Sequence, residues 1–494
     1  MAIRYMTTAI PYVNAKPHIG HALEYIQADV IARTWRQDGD IARWQWGTDD
    51  NSLKNVRAAQ TAGEETEVFV ARHAEEFKKL KDVLNLSFDD FMRTRDDRHI
   101  RGAQKVWSMF KSEDVYKKAY SGLYCVGCET FYTSDEAPEG LCQIHKKPLE
   151  EVSEENYFFR LSAYQEQLET LITNDTIRIT PETRKNEMLG FIRQGLQDFS
   201  ISRSVARAEH WGVPVPADAS QVMYVWVDAL SQYITALGFA DDGTDYKTYW
   251  ENADERLHVI GKDIVRFHAI YWPAFLLSAG LPLPTDLFVH GFFTVNGEKM
   301  SKSLGNVLDP IDLVNDFGVD ATRYAFLKLL PFGSDGDISV AKMEECYAEL
   351  ANGVGNLVSR VAAMVNKNFP EGIERVMFGP TNAVVVQGES SIDLSDTLHE
   401  AKETLRAFDF RLYIERVSFV INEANIKIDK EAPFKLVKVD RDAAKKSLSE
   451  LAAMIRWIGE ALAPIMPATA QEIARRYAGD VIVVGDGLFP RRDQ

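Results

Sequence analysis

The first fifty residues place a short apolar run ahead of an apolar stripe at helical spacing, and that alternation constrains the fold most. Ile3 to Ile10 reads as a buried strand ended by Pro11, followed by a loop containing Asn14 and Pro17. Ile19, Leu23, Ile26 and Val30 then recur at spacings of four, three and four. That spacing predicts a helix from about Ile19 to Trp35 with one face packed on a sheet. A second strand is expected near Ala42 to Gly47, running into Thr48-Asp49-Asp50-Asn51, where a ligand-facing loop would lie. Strand, loop, helix and strand open a βαβ unit.

A chain of 494 residues is too long for one core, and its pattern changes twice. From Tyr116 to Arg207 it holds short aromatic strand-like pieces, turn residues and three of the four cysteines. Strands are then expected at Met223–Val227, Leu257–Ile260 and Leu287–His290, with helices between them. After Ser334 helices dominate, one with an apolar stripe of Leu350, Val354, Leu357, Val358, Val361 and Val365. Residues 366 to 396 are rich in turn formers, and helical stretches return from Leu398 to Tyr477, broken at Pro464 and Pro467. The expected class is α/β: a doubly wound, Rossmann-type parallel sheet interrupted by an insertion and followed by a C-terminal α-helical bundle. The expected boundaries are 1–115 and 208–333 for the two halves of the sheet domain, 116–207 for the insertion and 334–494 for the helical part.

The bulk properties exclude several classes. The stretch Tyr271 to Pro284 is too short and too interrupted to span a membrane. Met1 to Val13 lacks the basic start and long apolar run of a secretory leader, so a cytoplasmic protein is expected. The net charge of -17 argues mildly against a nucleic-acid partner, although a basic surface can sit within an acidic whole.

Cys125-x2-Cys128-x13-Cys142-x2-His145 has the spacing of a tetrahedral zinc site filled by protein ligands, hence structural. A thioredoxin-like pair at Cys125 and Cys128, or a disulfide, is the rival reading. Two further ligands nearby and a reducing compartment favour the metal. Cys346 is most simply a small core residue.

Two strings carry the chemistry. Pro17-His18-Ile19-Gly20-His21 opens the first helix, placing two histidines on one face at a terminus that favours phosphate. His-x-Gly-His arises by chance in on the order of one chain in a hundred, so its position after the first strand matters. Lys299-Met300-Ser301-Lys302-Ser303 is far rarer, on the order of one chain in ten thousand, and lies among Gly297, Gly305 and Asn306. Two lysines on such a loop can close over a triphosphate and neutralise a departing pyrophosphate.

In this order on an α/β chain, the two strings resemble the HIGH and KMSKS signatures of class I aminoacyl-tRNA synthetases. Ala9–Tyr12, Phe91–Thr94, Asn156–Arg160, Ile201–Arg203, Tyr224–Ala229 and Ile260–Asp263 with His268 resemble segments of the methionyl-tRNA synthetases. The resemblance implies ATP, with Mg2+, as cosubstrate, L-methionine as substrate and tRNA(Met) as acceptor. It implies that His18, Gly20 and His21 hold the ATP phosphates, and that Lys299, Ser301 and Lys302 serve the leaving pyrophosphate. Gly261 and Asp263 would contact the ribose, and Asp49 the substrate ammonium. Ile10, Tyr12, Trp226, Ala229, Tyr233 and His268 would shape a pocket for a polarizable thioether. One structural zinc is expected on the cysteine set.

Asn356 and Arg360, one helical turn apart, resemble the family's anticodon-reading stretch, where amide and guanidinium can bond unstacked base edges. Where relatives place tryptophan after a proline, this chain has Pro433-Phe434, a ring that can stack on a base but lacks the indole N–H. A second departure is Asn51-Ser52, where relatives carry histidine and glycine. A class I synthetase for another amino acid, cysteine first, and a non-catalytic tRNA-binding paralogue are the alternatives. Absence of room for an editing insertion disfavours the branched-chain enzymes. A chain ending soon after the bundle leads to the expectation of a monomer.

Overall fold

The structure, a computed structural model, describes residues 1–125, 130–132, 137, 139–142, 146–300, 308–376, 384–386, 390–392 and 394–490. It divides into two compact units. One comprises Met1–Pro17, Asp38–Lys81 and Ser87–His290; the other comprises His18–Gln37, Asp82–Leu86 and Gly291–Gln494.

The first unit is built on a six-stranded sheet, ordered Asp90–Arg93, Ile41–Thr48, Ile3–Thr8, Glu255–Gly261, Asp286–His290 and Arg178–Thr180. Every pairing in it is parallel. Parallel strands are covered on both faces, and Tyr5 to Thr8 and Asp286 to His290 are buried without interruption. Strand order reverses between Ile3–Thr8 and Glu255–Gly261, so a crevice opens beyond their carboxyl ends. The core below holds Trp250, Trp272, Ile260, Leu287 and Phe275.

One expectation needed adjustment here. Met223–Val227 is not one strand: a strand ends at Met223 and a helix runs from Val225 to Thr235. Five apolar residues fit a buried strand or a helix start equally, and Asp228 in the first turn favours the helix. Within the 116–207 stretch the strands do not all join one sheet. Val115–Cys125, Thr130–Tyr132, Glu150–Phe159 and Phe199–Ser200 form an antiparallel sheet. Arg178–Thr180, however, adds the edge strand beside Asp286–His290, and Leu161, Leu168, Ile172 and Ile192 enter the main core.

In the second unit the Ile19–Gln37 helix is buried on nearly every side, including Glu24, Gln27 and Asp29. It packs with the Val319–Leu329 and Leu394–Arg406 helices. Its apolar stripe marked one contact face, and on another face the buried Asp29 is paired with Arg33 and Arg323. The helices Phe410–Glu431, Arg441–Leu462 and Pro467–Arg476 form the bundle, and all six residues of the Leu350–Val365 stripe are buried. A π-turn at Ala351–Gly355 precedes Asn356, and another at Phe267–Tyr271 holds His268. Such turns re-aim side chains and recur where ligands bind.

Candidate active site

In the first unit, the residues expected to meet the amino acid gather at the carboxyl ends of the strands. Asp49 follows Thr48, its N–H donates to the Pro11 carbonyl at 2.9 Å, and it forms a parallel bridge with Tyr12. Lys54 lies over the Tyr12 ring, 4.5 Å from its centroid. Ile10 is half-buried just past the Ile3–Thr8 strand. Gly261 ends its strand opposite His290, and Asp263 is exposed in the turn that follows.

The Val225–Thr235 helix carries Trp226, Ala229 and Tyr233. Trp226 stacks on Phe267, with centroids 3.7 Å apart and planes 7° from parallel, and stands edge-on to His268 at 6.2 Å. The buried His268 donates from Nδ1 to the Ile264 carbonyl at 3.0 Å, so its Nε2 accepts the Tyr233 hydroxyl proton at 2.7 Å. Burial pushes the His268 imidazole down to about 4. The ring is therefore neutral, which gives a dry wall of aromatic carbon with fixed polar edges.

Sequence reading missed what ties these pieces together. Asn51 Nδ2 donates to Asp228 Oδ2 at 2.8 Å and to the Thr94 carbonyl at 3.1 Å. Asp228 Oδ1 accepts from His99 Nε2 at 2.5 Å, and His99 Nδ1 meets Thr235 Oγ1 at 2.8 Å. Next to this network, burial raises the Asp50 carboxyl to about 6 against the opposing pull of Arg93, whose Nε lies 2.6 Å away. The only sequence signal for the network was Asp50-Asn51 itself, at the end of a strand.

In the second unit, His18 and His21 share the start of the helix, with ring centroids 3.9 Å apart. His21 Nδ1 accepts the His18 N–H at 3.2 Å, and His18 Nδ1 accepts the Gly20 N–H at 3.1 Å. Each ring then carries its proton on Nε2. Burial, followed by the neighbouring His18, holds His21 well below the usual histidine range, so it is a neutral donor. A Cβ at Gly20 would lie 2.9 Å from His18 Cε1 and 3.9 Å from Met300 Cε. A side chain there would press on the His18 ring, and the lysine-containing string reaches the histidine motif at Met300.

That string leaves a hairpin of Phe293–Val295 with Glu298–Lys299, turned at Asn296 and Gly297, both at positive φ. Asp337 anchors the turn: its Oδ1 accepts from the Gly297 N–H at 2.6 Å and the Thr294 hydroxyl at 2.7 Å, and its Oδ2 meets Lys342 at 2.8 Å. The Lys342 ammonium, with those two donors, holds the Asp337 carboxyl at about 2. Sequence reading did not single out Asp337. Ser301 and Lys302 lie outside the described residues.

Further along, Asn356 is exposed at its helix start. Arg360 pairs with Asp429 at 3.3 Å, which brings it to the end of the helix preceding Phe434, a ring 46% exposed and available for stacking. Of the cysteine set, Cys125 and Cys142 are buried, whereas Cys128 and His145 lie outside the described residues. Among the described residues, no group of three metal-ligating side chains is assembled, and no helix is long and apolar enough to cross a membrane.

A family model described as tRNA synthetases class I (M) matches residues 4–148 and 134–362. A methionine–tRNA ligase of Brucella suis is 40% identical over 482 residues, covering 95% of this chain and 90% of the relative. The methionine–tRNA ligase of Clostridium acetobutylicum is 38% identical, covering 99% of this chain and 78% of its own length. The structure of Mycobacterium tuberculosis methionyl-tRNA synthetase in complex with methionyl-adenylate superimposes with a TM-score of 0.89 at 37% identity, over 99% of this chain and 100% of the other. With signature motifs, parallel sheet and full-length kinship in agreement, the chain belongs to the methionyl-tRNA synthetases of class I.

Proposed function

We propose that this chain activates L-methionine with ATP and loads it onto tRNA(Met). A methionine carboxylate oxygen attacks the α-phosphorus; the bond to the β-phosphate oxygen breaks and pyrophosphate leaves. A ribose hydroxyl at the tRNA terminus then attacks the carbonyl of the mixed anhydride, and AMP leaves. The observation that carries the reading is the 40% identity spanning 95% of the chain, motifs included.

In this reading Asp49 takes the substrate ammonium, and Ile10, Tyr12, Trp226, Ala229, Tyr233 and His268 enclose the thioether. Gly261 and Asp263 hold the ribose. His18 and His21, each with its proton on Nε2, donate to phosphate oxygens beside Gly20, while Lys299, Ser301 and Lys302 neutralise the leaving pyrophosphate. Mg2+ enters with ATP and spreads charge over its phosphates. Asn356, Arg360 and Phe434 read the anticodon, and the exposed Phe434 ring suits stacking.

One structural zinc on Cys125, Cys128, Cys142 and His145 completes the assignment. The local backbone suits it: Cys125 pairs with Thr130 across a hairpin, and the Cys142 N–H donates to the Lys147 carbonyl at 2.9 Å. The insertion bearing them spans 116–207, between the sheet halves 1–115 and 208–333, with the helical part at 334–494. We assign the chain to the cytoplasm as a monomer.

Methionine-dependent exchange of pyrophosphate into ATP is the test. Exchange with methionine and none with cysteine or leucine is expected. Exchange dependent on another amino acid, or none at all, overturns the reading.

A further inference from the structure

Asn51 is held by three hydrogen bonds beside the residues read as the amino-acid pocket. Its backbone N–H donates to Asp49 Oδ1 at 3.1 Å, and its amide bonds Asp228 Oδ2 at 2.8 Å and the Thr94 carbonyl at 3.1 Å. Asp228 belongs to the helix of Trp226, Ala229 and Tyr233, and its other oxygen is held by His99 at 2.5 Å. Asn51, Asp228 and His99 are all buried. Asn51 Oδ1 is buried with no hydrogen-bond partner among the described residues, a cost tolerated where position matters more than stability.

We infer that Asn51 is a positioning residue for methionine: through its backbone it aims the Asp49 carboxylate, and through its amide it locks that loop to the helix that shapes the thioether pocket. The inference rests on the reading of Asp49 as the ammonium partner. The groups facing the Asn51 amide are Asp228 and His99 from two helices and the Thr94 carbonyl; Asp49 and Asp50 flank it, and Asp50 is taken up by Arg93 at 2.6 Å. The partners of Asn51 are Asp49, Asp228 and Thr94, all on the amino-acid side, so its removal should leave ATP binding alone.

The test is pyrophosphate exchange by the full chain, with methionine and ATP varied separately. Asn51→Ala should raise KM for methionine about tenfold, the scale of one lost charge-assisted hydrogen bond, and change KM for ATP by less than about twofold. Adding Asn51→Ala to Asp49→Asn should do less than the two separate effects summed, because the amide holds the loop that carries Asp49. Asn51→Asp sets two carboxylates together and should raise KM for methionine further. Combining it with Asp228→Asn restores an N–H···O pair and keeps an acceptor for His99, leaves the Thr94 carbonyl without the Asn51 donor, and should recover part of the loss.

Rescue by the exchanged pair separates positioning from a folding defect. Equal rises in both KM values, full additivity with Asp49→Asn, or no recovery in the exchanged pair would overturn the inference while methionine-dependent exchange by the unaltered chain leaves the functional reading standing. Absence of exchange in the unaltered chain removes both.

Discussion

Each unit holds its ligand-facing motif with a buried polar cluster, and the two clusters differ in kind. In the second unit Arg323 is fully buried and saturated: Nε donates to the Ile465 carbonyl at 2.7 Å, and the terminal nitrogens bond the Pro464, Leu84 and Asn85 carbonyls. Its charge is met by Asp29 at 2.6 Å, within the helix that begins at the histidine motif. In the first unit the Asn51–Asp228–His99 network leaves the Asn51 Oδ1 acceptor unmatched and touches the Asp49 loop directly. A saturated ionic cluster serves stability, fixing a whole helix and everything at its N-terminus. An unsaturated one beside a binding loop serves orientation at some cost to stability.

The largest effect should come from breaking the saturated cluster. Arg323→Leu leaves Asp29 buried with Arg33, 2.6 Å away at the helix surface, as its remaining cation. It also removes the Arg323 donors from the Ile465, Pro464 and Leu84 carbonyls, while the Asn85 carbonyl keeps Arg33. Removing one partner of a buried pair costs about 3–5 kcal/mol, so thermal melting should drop by roughly 10 °C. Asn51→Ala, in contrast, should alter methionine binding with a far smaller change in melting. If the two variants exchanged these phenotypes, the division between the clusters would be wrong.

Next in size is a test of the phosphate side alone. Lys302→Ala should lower the adenylation rate by about 10²- to 10³-fold, the scale of removing one preorganised charge stabiliser, with little change in methionine affinity. Single-turnover formation of adenylate against methionine concentration separates the two. Equal loss in rate and affinity would mean that the lysine-containing string also shapes the amino-acid side.

The motifs were legible because each is a local string with a chemical reason for its spacing. His18, Gly20 and His21 follow one strand, and Lys299 to Ser303 follow another. The supports were not legible, because they are assembled from distant residues. Asn51 and Asp228 are separated by 177 positions, His99 and Asp228 by 129, and Arg323 and Ile465 by 142. A lone arginine or histidine reads as surface or ordinary core until its partners are known, since charged residues are rarely buried unpaired. Asp337, which anchors the turn before Lys299, was hidden for the same reason. The start of the Val225 helix was ambiguous for a different one: Val, Trp and Tyr in a short run carry strand propensity, and only packing decided between the two forms.

The smallest effect sharpens the comparison through pH. His268 is buried in the first unit, and burial lowers it to about 4 from an ordinary value of 6.5. The unfolded chain therefore binds a proton before the folded one does. The stability held by the neutral ring is present in full above pH 6.5 and is lost as pH falls toward 4, by about 3 kcal/mol over that span. His258, 5.9 Å away, is lowered by burial and by His268 in the same direction, so the slopes add. His268→Gln keeps a polar side chain beside Tyr233 without a titrating ring, and should flatten part of the acid limb in urea unfolding followed between pH 7 and 4. The methionine KM of the unaltered chain should stay free of any His268 titration between pH 7 and about 5, because the folded ring takes up its proton only as pH approaches 4. A KM that climbed with a midpoint near 6.5 would show that His268 ionises like an exposed histidine, and that the pocket is wet rather than closed.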